Sequence, residues 1–175
     1  MIIKLAAREL RTRFGNYAEI LYYDGQSESI ALVMGNVEEQ ESVFCRIHSS
    51  CITAHVFNSV ECDCREQMEM SQVMIEKEGK GVIIWLDQEG KGNGHLALMK
   101  SIPFKKTGLS QSEAYKKAGF AVDARSFRPA AEILTELKVR SVVLLTNNAE
   151  KAEDLRRASI VVSGTKEIAP FSKNS

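Results

Sequence analysis

Cys45-Arg46-Ile47-His48-Ser49-Ser50-Cys51, continued by Val60-Glu61-Cys62-Asp63-Cys64-Arg65-Glu66-Gln67, is the stretch around which this chain is organised. Cys51, Cys62 and Cys64 stand at C-x10-C-x-C spacing, with an Arg-x-His just ahead of the first. Three thiolates and one open position is the ligand count of a catalytic zinc site, whose fourth position holds water. The spacing also restrains the backbone. Residues two apart share a face of a strand but diverge around a helix, so Cys62 and Cys64 can both ligate only from extended or turning chain. Asp63 suits a helix N-cap, with Glu66 at the third helical position as in a capping box. A helix starting there places Cys64 near a positive helix end, which favours the thiolate. The competing reading is that these are buried, reduced cysteines behaving as small hydrophobes. Cys45 has no motif partner and is assigned to the core.

Composition narrows the class. At 175 residues and 44% hydrophobic, the chain is long enough for one well-packed domain, expected over 1–175 with 164–175 as a loose tail. Basic and acidic residues number 23 each, and a formal charge of zero argues against broad nucleic-acid binding. Four cysteines without an export-signal pattern point to a reducing cytoplasm, where cysteine clusters hold metal more often than they form disulfides. No apolar run approaches membrane-spanning length, so no membrane partner is expected.

Along the chain, residues 18–23 read as a strand, Asp24-Gly25 as a turn and residues 30–34 as the return strand, with a third strand over 43–48. From Cys64 to about Glu78 the residues favour helix, and its methionines form a core stripe. Gly79 and Gly81 close it. Residues 82–86 form a near-continuous apolar strand that runs into Asp87-Gln88-Glu89-Gly90-Lys91-Gly92-Asn93-Gly94-His95. Polar, glycine-rich chain after a buried strand is where α/β folds place ligand sites. Ser110-Gln111-Ser112-Glu113 is a capping box whose short helix stops at Gly119. A loop over 119–127 carries Asp123 and Arg125, and Pro129 opens the next helix. Residues 139–145 are a buried strand, ended by Thr146-Asn147-Asn148, which cap a helix containing Lys151 as a phosphate cradle. Residues 159–162 are the last expected strand. Strands dominate early and βαβ-like alternation comes late, so the fold class is α+β, a mixed α/β domain.

Taken together, several motifs resemble the GTP cyclohydrolase II family, zinc enzymes that open the imidazole ring of GTP at the start of riboflavin synthesis. The resemblance runs over most of the chain. It is carried by Arg46-x-His48-Ser49-x-Cys51, by Cys62-Asp63-Cys64 with Gln67, and by Gln88-Glu89-Gly90. Gly119-Phe120-Ala121-x-Asp123-x-Arg125 and Leu145-Thr146-Asn147-Asn148 with Lys151 follow in the family's order. The resemblance implies one zinc on Cys51, Cys62 and Cys64, directing water to C8 of the purine. It implies Asp123 as proton acceptor and Arg125 at the triphosphate end, where pyrophosphate leaves. Arg46, Thr146 and Lys151 match phosphate-binding positions, while His48, Gln67, Glu89, Gly90 and Lys91 match others of the substrate pocket. Charge requirements agree, because a triphosphate carries about four charges and needs several cationic donors. Magnesium accompanying the triphosphate and a homodimer are also implied.

Departures from the family pattern cluster in the site. Ser50 stands where the family has Glu, and Thr53-Ala54-His55 replaces Thr-Gly-Asp. Glu61 reverses an Arg, Arg65 replaces a Gly, and Lys91 exchanges a planar donor for a point charge. Asn93-Gly94-His95 replaces Ile-Gly-Leu, a family Tyr falls at Ile102, and a Thr of the substrate region falls at Gln111. The leading expectation is a zinc-dependent cyclohydrolase acting on GTP or a related purine nucleotide. One alternative is a diverged paralogue opening another nitrogen heterocycle, as in pyrimidine breakdown. A second is a nucleotide- or zinc-binding protein without turnover.

Overall fold

The structure is a computed structural model that describes residues 1–168. Its centre is a single seven-stranded sheet with two halves of different character. Strands β1 (Ile3–Thr12), β2 (Gly15–Tyr23) and β3 (Glu28–Met34) form an antiparallel meander. Strands β4 (Val43–Ser49), β5 (Gly81–Leu86), β6 (Val142–Leu145) and β7 (Val162–Lys166) make a parallel half, and β3 joins β5 antiparallel. The order is β1-β2-β3-β5-β4-β6-β7. The mixed α/β class expected from the sequence is therefore the observed one.

Alternation along β5 shows how the sheet is covered. Val82, Ile84 and Leu86 enter a cluster with Ile133 and Leu134 of α5 (Arg128–Glu136) and Leu155 of α6 (Glu150–Arg157). Ile83 points the other way, toward Ile75 of α2 (Cys64–Glu78), with Met68, Met70 and Met74 packed alongside. The methionine stripe is core, as its spacing indicates. A strand with helices on both faces must be apolar throughout, and β5 is so.

The connections decide where the site lies. From β4 the chain passes through α1 (Ile52–His55) and α2 to β5 on one side, while β6 lies on the other side of β4. β4 is thus the point at which the strand order reverses. Because β4, β5 and β6 are parallel, the chain beyond Ser49, Leu86 and Leu145 emerges along one edge of the sheet. Such an edge is the usual ligand site of an open α/β sheet.

Several elements differ from the sequence reading. Helix α3 (His95–Lys106) follows the glycine-rich loop directly, with Pro103 inside it, and packs on α4 (Gln111–Lys117). Strand β1 is exposed along most of its length, so it carries no one-sided apolar alternation. The last strand is Val162–Lys166 rather than 159–162, because residues 158–160 complete the turn after α6. Residues 164–166 of the expected tail are therefore strand, Ile168 is buried, and 169–175 lie outside the described residues.

Candidate active site

Cys51 leaves β4 two residues beyond its end, and Cys64 is the first residue of α2. Their sulfurs and that of Cys62 all lie within 4.8 Å of one another, with Cys51 and Cys62 Sγ 3.6 Å apart. Tetrahedral coordination at about 2.3 Å per Zn–S bond separates sulfurs by roughly 3.8 Å, so the triad fits such an ion. Cys45, buried in the core on β4, stands apart from it. Burial first, then the other two thiols, pushes Cys64 above the ordinary thiol range despite its place at a helix start. Cys62 is raised as well, chiefly by burial. Three thiols crowded in this way are what a divalent cation relieves, since it stabilises all three thiolates together. The expected Asp63–Glu66 capping box does not form. Asp63 occupies the N-cap without a cap bond, and its Oδ1 accepts from Gln67 Nε2 at 2.9 Å.

Beside the triad opens a cavity of about 1030 Å³. Its lining includes Cys51, His55, Trp85, Gln88, Glu89 and His95. Glu89 takes the backbone N–H of Ile52 at 3.2 Å and lies 3.6 Å from His95 Nδ1, so it ties the loop after β5 to the cysteine segment. Ser50, in place of the family Glu, does similar work. Its Oγ donates to Asp87 Oδ1 at 3.2 Å and accepts from Gln88 N at 3.0 Å.

The glycine-rich loop is packed, not slack. Lys91 O accepts from Ala124 N at 2.8 Å, Gln88 Oε1 from Ser126 N at 2.6 Å, and Asn93 Nδ2 donates to Ala121 O at 2.9 Å. Gly92 has φ +83°, and a Cβ there would lie 2.6 Å from the carbonyl carbon of Ala124. Only glycine permits this approach. These contacts hold the 119–127 loop, on which Arg125 grips Asp123 with Nε–Oδ1 3.0 Å and Nη2–Oδ2 2.6 Å. Burial alone would raise the Asp123 carboxyl, but the Arg125 hydrogen bonds and charge hold it below the usual range. Arg125 and Lys151 both lie over the Phe127 ring, at 5.4 and 5.9 Å.

Beneath the cavity runs a polar chain. Arg46, 6% exposed, donates from Nη1 to Leu145 O at 3.2 Å, from Nη2 to Gln67 Oε1 at 2.7 Å, and to His48 Nδ1. His48 is 2% exposed, and its Nε2 lies 2.9 Å from His55 Nε2. Lys151 reaches across from α6 to Ile47 O at 2.8 Å. Burial, then Arg46 and Arg125, lowers this amine to about 7. Thr146 closes its own turn, its Oγ1 accepting from Asn148 N at 3.0 Å. The Thr146-Asn147-Asn148 cap is only partly realised. Ala149 holds the N-cap of α6, while Asn148 Oδ1 accepts from Glu150 N at 3.0 Å.

The site residues expected from sequence thus fall into two tiers. Cys51 and Glu89 line the cavity, with Cys62 and Cys64 at the triad beside it. Arg46, His48 and Gln67 form the layer below, so His48 and Gln67 meet other protein groups rather than the cavity. Lys91 is engaged by Ser112 Oγ at 3.0 Å, and Gln111 turns from the site to the buried Ser101 at 2.9 Å. His55, His95 and Trp85 line the cavity without having been assigned to it. Tyr115, almost wholly buried, also faces the site: its hydroxyl lies 3.4 Å from where a Cβ on Gly90 would stand. Their only signal in the sequence is position: Trp85 is the penultimate residue of β5, and His55 and His95 lie in the segments that follow β4 and β5, whose ends the topology turns toward one edge.

The sequence profile of the family described as GTP cyclohydrolase II matches residues 4–167. The chain belongs to the GTP cyclohydrolase II family. A riboflavin biosynthesis protein RibBA of Bacillus cytotoxicus is 40% identical over 149 residues, covering 84% of this chain and 38% of that protein. A GTP cyclohydrolase-2 of Archaeoglobus fulgidus is 39% identical over 168 residues, covering 94% and 44%. The RibBA of Phocaeicola vulgatus is 37% identical over 170 residues, covering 95% and 42%. The chain therefore spans about two fifths of the length of these relatives. A solved structure of RibBX from A. baumannii is a more distant likeness, at 15% identity and a TM-score of 0.47 over 84% of this chain and 34% of that one.

Proposed function

We propose that this chain is a zinc-dependent cyclohydrolase that opens the imidazole ring of GTP or a related purine nucleotide. The observation that carries this reading is the Cys51, Cys62 and Cys64 triad beside a cavity lined by Glu89 and Gly92, with the loop that carries Asp123 and Arg125 packed on Gly92 from outside the lining. Zinc on the three thiolates would supply an activated water to a purine C8. The chain's own groups do the remaining work. Arg125, Arg46 and Lys151 converge from the 119–127 loop, β4 and α6, and gather cationic charge for a triphosphate, with magnesium as its companion. A phosphate that competes for the Arg125 fork frees the Asp123 carboxylate, which then accepts a proton near the departing nitrogen. Asp123 is exposed and Arg125 half-buried, so both are reachable by an incoming nucleotide.

A second reading has its own support. Lys91 and Gln111 are drawn to Ser112 and Ser101, and two imidazoles face the cavity. These changes fall on the base-recognition side, which favours a ring other than guanine. Among the described residues no helix is long and apolar enough to cross a membrane. Homodimer assembly remains part of the proposal and is tested by sedimentation. The deciding experiment offers purine and pyrimidine nucleotides to the zinc-loaded protein and measures formate and pyrophosphate release. GTP turnover supports the first reading, and turnover of another ring the second. Binding without turnover of any member sinks both.

A further inference from the structure

Two departures from the family pattern, His55 and Arg65, are joined in the fold. Arg65 Nε donates to Ala54 O at 3.0 Å, and its guanidinium also bonds the carbonyl of His55. These are carbonyls at the end of α1, which lack partners inside the helix. So pinned, His55 sets its ring edge-on to His48, with centroids 5.0 Å apart and planes at 72°.

Proton positions follow from the donors. A guanidinium only donates. Arg46 directs two nitrogens at His48 Nδ1, at 3.2 and 3.4 Å, so this nitrogen must offer a lone pair. Neutral His48 then carries its proton on Nε2 and gives it to His55 Nε2 at 2.9 Å. His55 is left with its own proton on Nδ1, on a ring that lines the cavity. Charging either ring would set N–H against N–H. Burial, then the Arg46 charge, lowers His48 to about 2.

We propose that the Arg46–His48–His55 chain fixes His55 as a one-way donor that presents Nδ1–H to an acceptor atom on the substrate ring. His55 is then a specificity-determining residue. It selects a heterocycle with a carbonyl oxygen or unprotonated ring nitrogen at that point. The family's carboxylate there can only accept, so the polarity of recognition is reversed. This rests on the cavity being the substrate site, as proposed above.

Two measurements test it. Long-range proton–nitrogen correlation spectra of the zinc-loaded full chain report the tautomer of each ring, and with three histidines in the chain assignment needs few variants. His48 is expected as the Nε2–H form and His55 as the Nδ1–H form, and His55 in the ordinary Nε2–H form overturns the inference. Nucleotide binding is read from Trp85, the single tryptophan, which lines the cavity. His55→Phe keeps a ring without a donor and is expected to weaken the accepted nucleotide about tenfold, the size of one good hydrogen bond. His55→Asp should shift preference toward rings that offer N–H. Unchanged affinity and selectivity in both variants refutes the recognition role. Failure of the functional reading looks different: the tautomers stay as assigned, yet no nucleotide perturbs Trp85 in the parent, and the recognition role falls with it.

Discussion

Gly92→Ala isolates the packing between the glycine-rich loop and the loop that carries Asp123 and Arg125. At φ +83° a side chain costs about 1 kcal/mol of backbone strain. The added Cβ meets backbone, at 2.6 Å from Ala124 C, 2.7 Å from Ala124 O and 2.9 Å from Arg125 N. No flexible side chain can yield there, so the two loops must part. Parting them breaks Ala124 N to Lys91 O and Ser126 N to Gln88 Oε1, at about 1 kcal/mol each. The whole is about 3 kcal/mol, which for a domain of this size lowers Tm by about 6–12 °C. Gly79→Ala is the control. Its φ of +78° is nearly the same, but nothing lies within 4 Å, so only the strain remains and Tm falls by about 2–4 °C. Thermal melts of both variants are read beside turnover on the accepted nucleotide. Gly92→Ala should also lose about a hundredfold in rate, because it displaces Asp123 and Arg125, whereas Gly79→Ala should keep its rate. A Gly92→Ala protein that melts with the control and turns over like the parent would falsify the packing argument.

Other expectations follow from single contacts. Lys151→Ala removes one charged donor worth about 1.5–3 kcal/mol and should weaken triphosphate binding at least about tenfold by calorimetry, leaving the nucleoside unaffected. Lys151 sits near 7 in the free protein, and an arriving phosphate raises it. Triphosphate binding then takes up a proton, and affinity should fall as pH rises through about 7; flat affinity across that window counts against the cradle. Ile102 carries no transferable proton where the family has a phenol, so with GTP the parent should stop at a formylated ring-opened product, and Ile102→Tyr should release formate. Stoichiometric formate from the parent, unchanged in the variant, would show that this position does not govern the second hydrolysis. Arg65→Gly should loosen the 51–62 segment, seen as faster amide exchange at His55 and Val56.

Legibility of the sequence tracked the range of the interaction. Helix α2 begins and ends where Cys64 and Gly79 place it, and the Ser110–Glu113 capping box forms, because both signals lie within four residues. Helix α3 was hidden by a flexible-looking Gly-Asn-Gly lead and an internal proline. Strand β1 was hidden because neither of its faces is buried. In the site, residue types identified the chemistry, but burial assigned the tiers. Arg46 meets Leu145 O and Lys151 meets Ile47 O across about a hundred residues, and no local pattern encodes that pairing. His55 was visible as a departure from the family, yet its role needed the 2.9 Å contact to His48.

The most direct test of the account titrates zinc into metal-free protein and follows ring-opened product by mass. One zinc per chain should bind, activity should rise in proportion and level at one equivalent, and the Cys62→Ser, Cys64→Ser double variant should hold no zinc and make no product. Full turnover without metal, or full zinc occupancy in the double variant, would contradict the assignment of Cys51, Cys62 and Cys64 as the catalytic metal site.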